Sequence, residues 1–318
     1  MILMKLNKKT LVSIIIPTFN RATQLEMCLN SVFQSTYKNI EVIIVDDNSN
    51  NKIRKKILTN YKNKNINYLY SKDKRFLSYN LNKAIKKSKG ELILKLDDDN
   101  TLDKNTISEM VSSFYNDKKL GVVGPVALYS KKSNIICHAG VTRRSKIMRR
   151  AIYEYVNTNI SSLPSNVQVE DFTNVFMFSK QAIIESGLFD LEIPYMGEDS
   201  EFQARIVRKG YKIKLCNKAI VYHDIPYTEK MYFIRFNNLR LYHTMRSKIL
   251  YEMRYAKNYQ KLTFTLSMPI YWSYYAYRIL KSNENLNNKI YLFKNVINGT
   301  VAGFVDSMKK KSSINYIN

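Results

Sequence analysis

Two clusters of acidic side chains stand directly after apolar runs and could bind a cation. Asp46-Asp47 follows the run from Ile40 to Val45, and Asp97-Asp98-Asp99 follows the run from Glu91 to Leu96. One Asp at such a place would predict only a turn or a helix cap. Three consecutive carboxylates repel one another, so they need a counter-charge. Their hard oxygen ligands suit Mg²⁺ or Mn²⁺, ions that also bind the phosphate oxygens of a substrate.

The second half of the chain adds an acidic pair and a histidine. Glu198-Asp199 follows Gly197, and a carboxylate in a cleft can take a proton from a reacting hydroxyl. The pair could instead only complement a helix dipole. His223 could be a metal ligand or a structural histidine.

The remaining histidines and the cysteines have no motif around them. We interpret His138 and His243 as structural, and Cys28, Cys137 and Cys216 as core residues.

Alternating strands and helices are predicted to position these side chains. Short Val- and Ile-rich runs predict strands, and apolar residues at intervals of three and four predict helices. The predicted strands are Leu11 to Ile16, Ile40 to Val45, Ile66 to Tyr70, Glu91 to Leu96 and Gly121 to Val126. This order implies an α/β fold with a mostly parallel sheet and helices on both faces. Ligands bind beyond the carboxyl ends of such strands, so both Asp clusters should face one cleft.

Composition excludes several classes of protein. The 318 residues are 45% hydrophobic and 24% charged, which is typical of a globular protein and not of a disordered one. The longest uncharged run, Leu262 to Tyr277, contains Pro269 and several hydroxyls. It is too short and too polar to predict a membrane span.

The net charge of +25, from 51 basic and 26 acidic residues, is unusual. It favours polyanionic partners: nucleic acid, anionic lipid or phosphorylated small molecules. Three scattered cysteines do not make a disulfide framework, which favours a reduced, cytoplasmic compartment. The apolar run after the basic N-terminus is too short for a signal peptide.

Four motifs together resemble family 2 glycosyltransferases, which have the GT-A fold. They cover about residues 10 to 225 in the order and spacing of that family. The segments are Val12 to Arg21 with Ile40 to Ser49, Leu94 to Asn100, Ser186 to Asp190 with Gly197 to Arg205, and Gly210-Tyr211 with Val221 to Asp224. The stretch from Arg240 to Arg254 is also similar to the tail of rhamnosyltransferase-like members.

The resemblance implies a role for each matched residue. On the donor side, Pro17, Thr18 and Phe19 would contact the nucleobase, Asp47 the base or ribose, Arg75 the diphosphate, and Asp97 the ribose and diphosphate. For the metal, Asp99 would be the ligand, with Asp98 as a competing candidate, and His223 would help to hold metal and diphosphate. On the acceptor side, Asp199 would be the general base, with Glu198 beside it.

The C-terminal third predicts helices rich in tyrosine, arginine and lysine. We expect residues 1–225 to form the catalytic domain and residues 226–318 a helical extension. Aromatic residues with cationic neighbours are typical of a membrane interface, although the extension could also pack on the catalytic domain. The basic run from Arg143 to Arg150 is either a solvated loop or an electrostatic contact for a phosphorylated acceptor or an anionic bilayer.

The resemblance and the residues together predict a metal-dependent, inverting glycosyltransferase. Its donor would be a nucleoside-diphosphate sugar, with UDP as the expected nucleotide. Its acceptor would be a hydroxyl of a glycan or polyprenyl-linked carrier at the cytoplasmic face of a membrane, and its cofactor Mn²⁺ or Mg²⁺.

Two alternatives stay open. One is a nucleic-acid-binding protein, because of the charge, although no recognition motif accompanies it and no specific nucleic acid is expected. The other is a catalytically silent sugar-nucleotide sensor on the same fold.

Overall fold

A computed structural model describes residues 10–143, 151–227 and 238–309 of the chain. Eleven strands occur in these residues. They are β1 (Val12–Thr18), β2 (Ile40–Asp46), β3 (Ile66–Tyr70), β4 (Leu92–Leu96), β5 (Asn100–Leu102), β6 (Leu120–Tyr129), β7 (Lys132–His138), β8 (Val141–Thr142), β9 (Ile152–Tyr153), β10 (Val175–Ser179) and β11 (Lys212–His223).

Ten α-helices accompany the strands in the described ranges. They are α1 (Ala22–Gln34), α2 (Asn51–Asn60), α3 (Phe76–Lys87), α4 (Thr106–Asn116), α5 (Lys180–Ser186), α6 (Glu198–Arg208), α7 (Asn238–Tyr255), α8 (Asn258–Leu266), α9 (Met268–Leu280) and α10 (Leu286–Met308). The predicted strand from Ile66 to Tyr70 matches β3, and the other predicted strands overlap β1, β2, β4 and β6.

The directions of the strands explain why the strand ends that carry the acidic residues lie at the same edge of the sheet. The main sheet has nine strands in the order β3-β2-β1-β4-β10-β6-β11-β5, with β7 paired to β6. Strand β10 is antiparallel to both β4 and β6, so these two run the same way. With β1, β2, β3 and β11, six of the nine strands share one direction, which confirms the mostly parallel sheet. Strands β5, β7 and β10 run the other way.

The two faces of the sheet bury different helices because successive side chains of a strand point to opposite faces. Ile14 and Ile16 of β1 pack in one apolar cluster with residues of α1 and α4. Ile15, between them, packs in a second cluster with residues of α3, α5 and α6. The unbroken apolar runs read from the sequence thus belong to strands that are covered on both faces.

The C-terminal helices share an apolar core of their own. Met245, Ile249, Phe264 and Val296 from α7, α8 and α10 are fully buried in it. Helices α7 and α10 approach closely at Gly299, where a Cβ atom would lie 2.3 Å from the backbone oxygen of Tyr242. The predicted helical character of the extension is therefore observed over residues 238–309. The domain division at residue 225 stays a prediction.

Helix α7 also joins the extension to the sheet-containing part of the chain. Arg254 forms ion pairs with Asp190, at 2.8 Å, and with Glu192. The hydroxyl of Tyr255 donates a hydrogen bond of 2.6 Å to Glu201 of α6.

None of the helices in the described ranges is both long enough and apolar enough to cross a bilayer. Residues 144–150 of the predicted basic run lie outside the described residues, as do residues 228–237 of the tail.

Candidate active site

One cavity of about 1000 Å³ lies at the carboxyl ends of the parallel strands. This volume is at the upper end of the usual range for small-molecule pockets. Strands β1 and β4 end beside it, and β11 contributes its last residue. The predicted site residues that line the cavity are Pro17, Thr18, Phe19, Asp47, Asp97, Asp98, Asp99, Glu198, Asp199 and His223. Residues far apart in the chain thus share one concave surface.

The three consecutive Asp residues have three different environments. Asp97 lies 3.0 Å from the Nζ atom of Lys95. Asp98 accepts hydrogen bonds from the Thr18 hydroxyl, at 2.7 Å, and from Arg21, at 2.9 Å. Arg21 also donates to the Oδ2 atom of Asp99 at 2.9 Å. Cationic partners therefore offset part of the repulsion within the run.

Burial and charge separate the ionisation of Asp98 from that of Asp99. Burial raises the pKa of Asp98 to about 6, although Arg21 and the Thr18 hydroxyl oppose it. Burial acts in the same direction on Asp99, but contacts with His223 and Arg21 outweigh it and lower the pKa to about 2. Asp99 is therefore the more acidic of the two carboxyl groups.

His223 is the second polar group beside Asp99. Its Nε2 atom lies 3.6 Å from Oδ1 of Asp99, and its Nδ1 atom lies 3.8 Å from the sulfur of Cys137. Burial would lower the pKa of His223, yet hydrogen bonding to Asp99 and Cys137 raises it to about 9. The imidazole therefore connects the acidic run to the end of strand β7.

Asp199 is held at the start of helix α6. Gly197, with a φ angle of 109°, makes the sharp turn that precedes the helix. The Oδ2 atom of Asp199 accepts hydrogen bonds from Lys95 Nζ, at 2.8 Å, and from the backbone N–H of Asn174, at 3.3 Å. Within the described part of the chain, its buried Oδ1 atom has no hydrogen-bond partner. One oxygen is thus fixed, and the other can accept a proton or a hydrogen bond.

The carboxyl groups around Asp199 are shifted toward their neutral forms. Burial, together with the charge of Asp199, raises the pKa of Glu198 to about 8. Burial also raises the pKa of Asp97 to about 7, against the opposing charge of Lys95. Burial alone would lower the pKa of Lys95, but the charges of Asp199 and Asp97 outweigh it and raise that pKa. Lys95 is accordingly a buried cation between two carboxyl groups.

The loop before helix α3 is tied to Asp47 through the backbone. Oδ1 of Asp47 accepts a 2.7 Å hydrogen bond from the N–H of Arg75. The structure does not bring the Arg75 side chain to the cavity, and its guanidinium lies 3.5 Å from exposed Asp73. Lys74 does line the cavity, with its Nζ 4.4 Å from the centre of the Phe19 ring. A cation thus lies beside Phe19 in the cavity, one residue before the predicted one.

A divalent cation fits the chemistry of this rim. Five carboxyl groups line the cavity here: Asp97, Asp98, Asp99, Glu198 and Asp199. Lys95 and Arg21 pair with four of them, and the fifth, Glu198, is shifted toward its neutral form. The Asp98 side chain is 4% exposed with both oxygens engaged, whereas 16% of Asp99 is exposed. Asp99 and His223 could therefore hold an ion with the least rearrangement.

Helix α7 forms one wall of the same cavity, which Ser247 and Tyr251 line. The guanidinium of Arg143 lies 4.3 Å from the Tyr251 ring centre and forms a 2.7 Å ion pair with buried Asp171. The Arg143 side chain is only 4% exposed. The interpretation of the basic run as a solvated loop is therefore wrong for Arg143, because its charge is buried against a carboxylate.

Sequence analysis assigned no role to two charged residues of the site. Lys95 carried a signal, since a lysine within the apolar run from Leu92 to Leu96 is seldom buried unless it is paired. Arg21 ends the first motif, but nothing in the sequence indicates which carboxylates it contacts.

Comparison with known sequences agrees with this geometry. Residues 13–167 match the family model described as glycosyl transferase family 2. The first half of the chain therefore matches family 2 glycosyltransferases. A poly-beta-1,6-N-acetyl-D-glucosamine synthase of Staphylococcus aureus is 23% identical over 218 residues, which are 68% of this chain and 50% of the relative. The chain thus spans about half the length of the curated relative that it matches.

Two solved structures share the fold of this family 2 chain. A mannosyltransferase from Pyrobaculum calidifontis, in complex with GDP-Man and Mn²⁺, superposes with a TM-score of 0.58 at 14% identity, over 93% of this chain and 87% of that one. GalNAc-T7 with UDP, GalNAc and Mn²⁺ gives a TM-score of 0.57 at 15% identity, over 82% of this chain and 55% of that one. The expected GT-A fold is confirmed.

Proposed function

We propose that this family 2 glycosyltransferase moves a sugar from a nucleoside-diphosphate sugar to a hydroxyl group, with inversion at the anomeric carbon. The observation that carries the proposal is the convergence of Asp47, Asp99, Asp199 and His223 on one cavity. GalNAc-T7 has been solved with UDP, GalNAc and Mn²⁺, and the mannosyltransferase with GDP-Man and Mn²⁺. For this chain, the proposed donor is a UDP-linked hexose or deoxyhexose.

Donor binding in this proposal uses the strand ends. Pro17, Thr18 and Phe19 would line the nucleobase pocket, Asp47 would bind the base or ribose, and Asp97 and Asp98 would lie near the ribose and diphosphate. Lys74 is the cation of this loop that lines the cavity, so we prefer it to Arg75 for contact with the donor.

Asp99 and His223 would hold Mn²⁺ or Mg²⁺. When bound, the ion would neutralise the leaving diphosphate as a Lewis acid. The chain's own contribution is the fixed geometry of the two ligands and Arg21, which donates to Asp99 and orients its carboxylate. Arg21 also lines the cavity, so it is near enough to contribute to the charge around the phosphates.

Asp199 would accept the proton of the acceptor hydroxyl. Its Oδ2 atom is fixed by Lys95, and its Oδ1 atom has no partner within the described residues. A hydroxyl needs such a base because its own pKa is high. Glu198, raised toward its neutral form, would position the acceptor beside the base. One base and one leaving group imply a single displacement, and hence inversion.

The acceptor in this proposal is a hydroxyl of a glycan or polyprenyl-linked carrier at the cytoplasmic face of an anionic membrane. Helices α8 to α10 carry large exposed apolar side chains at intervals of three and four, such as Tyr259, Leu262 and Leu266 on one face of α8. Lys281 lies 5.0 Å from the ring centre of Tyr277, a pairing suited to a headgroup interface. Sedimentation with anionic vesicles, but not with neutral ones, would support this part of the proposal.

Thermal-shift screening of nucleotide sugars, with and without Mn²⁺, tests donor binding directly, because a true donor stabilises the folded state by mass action. Turnover with the stabilising donor, followed by NMR of the product's anomeric proton, tests transfer and stereochemistry. A retained configuration would contradict the single displacement. Donor binding without turnover over a panel of acceptors would favour the silent sensor.

The charge of +25 is the observation that favours a nucleic-acid-binding protein as the second candidate. Such binding should weaken steeply with salt. A gel shift with DNA and RNA over a salt series separates this candidate from a sugar-nucleotide enzyme.

A further inference from the structure

A thiol and two imidazoles lie together at the edge of the cavity, beside the acidic run. The sulfur of Cys137, one ring nitrogen of His138 and one ring nitrogen of His223 all lie within 4.8 Å of one another. All three residues line the cavity. Sequence analysis interpreted Cys137 as a core residue and His138 as structural, so this grouping comes from the fold alone.

Strand β6 and two of its neighbours build the cluster. Strand β11 pairs with one edge of β6 and ends at His223, opposite Tyr129. Strand β7 pairs with the other edge, where Ala127 is opposite His138 but Leu128 is opposite Ile136. One residue of β7, Cys137, is therefore extra in the ladder, which is the pattern of a β-bulge. Consecutive strand residues normally point to opposite faces, and a bulge can re-aim one of them.

His138 is buried and has unpaired ring nitrogens, which are properties expected of a metal ligand. It is 6% exposed, and within the described residues neither of its ring nitrogens has a hydrogen-bond partner. Its ring packs against the Tyr153 ring, with centroids 5.6 Å apart. Buried polar groups are nearly always satisfied, because an unpaired one loses its hydration without compensation. A bound ion would satisfy one of these nitrogens.

His223 presents a different nitrogen to each neighbour. Nε2 faces Asp99 at 3.6 Å, and Nδ1 faces the Cys137 sulfur at 3.8 Å. In a tetrahedral zinc site, a sulfur and a nitrogen ligand lie about 3.6 Å apart, from bond lengths of about 2.3 and 2.05 Å. The Cys137–His223 separation is therefore already close to that of two ligands of one ion.

We propose that Cys137, His138 and His223 form a zinc-class transition-metal site, distinct from the Mn²⁺ or Mg²⁺ position beside Asp99. Thiolate and imidazole ligands select zinc and similar ions over magnesium. The ion takes Nδ1 of His223 and leaves Nε2 directed at Asp99. Three protein ligands at the edge of a cavity leave a fourth position for water or a phosphate oxygen. This site goes beyond the proposed transfer reaction, although it shares His223 with the proposed Mn²⁺ or Mg²⁺ position.

Cobalt spectroscopy tests the site without any measurement of transfer. Metal-stripped full-length protein is titrated with Co²⁺ in excess Mg²⁺, and a thiolate-to-cobalt charge-transfer band in the near ultraviolet is expected at one equivalent. Cys137→Ser should abolish the band, and His138→Asn should weaken Co²⁺ binding by at least about tenfold. The matched control is Cys216→Ser, which removes another buried thiol and should leave the band unchanged.

Two outcomes would overturn the proposal: wild-type protein that binds neither Co²⁺ nor Zn²⁺, or a band that persists in Cys137→Ser. Loss of the band in Asp99→Asn would mean a single shared position and would also overturn it. If Cys137→Ser does not fold, zinc X-ray absorption of the wild-type protein decides instead. One sulfur neighbour supports the site, and an all-nitrogen-and-oxygen shell overturns it.

Discussion

Lys95 donates a hydrogen bond of 2.8 Å to Asp199, although the two residues are 104 positions apart in the chain. Lys95 is fully buried at the second-to-last position of strand β4, and Asp199 is the second residue of helix α6. A buried ammonium holds its charge only beside an opposite charge. The contact therefore fixes the proposed base and ties helix α6 to the centre of the sheet.

Removal of this lysine should destabilise the fold. Lys95→Met leaves Asp97 and Asp199 buried without their cation, and breaking a buried pair in this way costs about 3–5 kcal/mol. Urea unfolding followed by circular dichroism measures the loss. Lys72→Met, an exposed lysine on the loop after β3, is the matched control and should change stability by less than about 0.5 kcal/mol. A loss below about 1 kcal/mol for Lys95→Met would mean that the pair is not buried as described.

Replacement of the proposed base should remove transfer but not donor binding. Asp199→Asn keeps an oxygen that can accept from Lys95, yet it cannot take a proton. General-base catalysis contributes about 10²–10⁴-fold, so kcat should fall by that factor. Calorimetry should give an unchanged Kd for the donor. Asp73→Asn, an exposed carboxylate, is the control, and wild-type transfer by Asp199→Asn would reject Asp199 as the base.

Replacement of Asp99, the proposed metal ligand, should remove the effect of Mn²⁺ on donor binding. A donor at 100 times its Kd stabilises the wild-type protein by about 2.7 kcal/mol. In Asp99→Ala, that stabilisation should disappear, whether or not Mn²⁺ is present. The measurement is a thermal shift at several donor concentrations. Asp98→Ala is run beside it, and if only that variant loses the Mn²⁺ effect, Asp98 is the ligand and Asp99 is not.

The contact between helices α7 and α10 should not tolerate a methyl group at its closest point. A Cβ atom at Gly299 would lie 2.3 Å from the Tyr242 carbonyl oxygen, which is backbone and cannot rotate away. Gly299→Ala should therefore lower the free energy of unfolding by about 1–3 kcal/mol. Val301→Ala, on the exposed face of the same helix, is the control. Equal stability of the two variants would contradict the observed packing of the extension.

Much of the architecture could be predicted because strands and helices leave local patterns. Val12, Ile14 and Ile16 belong to an apolar run short enough to be a buried strand, and β1 covers it. The Asp clusters followed such runs, and the shared direction of β1, β2 and β4 brought Asp47 and Asp99 to one cavity. The antiparallel direction of β10 could not be predicted, because strand direction depends on pairing partners that the local sequence does not name.

The sequence did not indicate where particular side chains point. Arg75 was expected at the diphosphate, but the turn before α3 directs Lys74 to the cavity and leaves the Arg75 guanidinium beside Asp73. Arg143 was grouped with a basic run, yet it is buried against Asp171. In both cases the sequence showed a cationic residue but not where its side chain points. That direction is set by the backbone of a loop and by partners that are distant in the chain.

By itself, the sequence indicated the family resemblance, the fold class and the three acidic groups, because these follow from residue types in short, ordered motifs. Only the tertiary structure decided how those groups are paired: Lys95 with Asp199, Arg21 with Asp98 and Asp99, and Cys137 and His138 with His223. Such pairings join residues that are distant in the chain, and their charges act over a few ångströms of space, which spacing along a sequence does not encode.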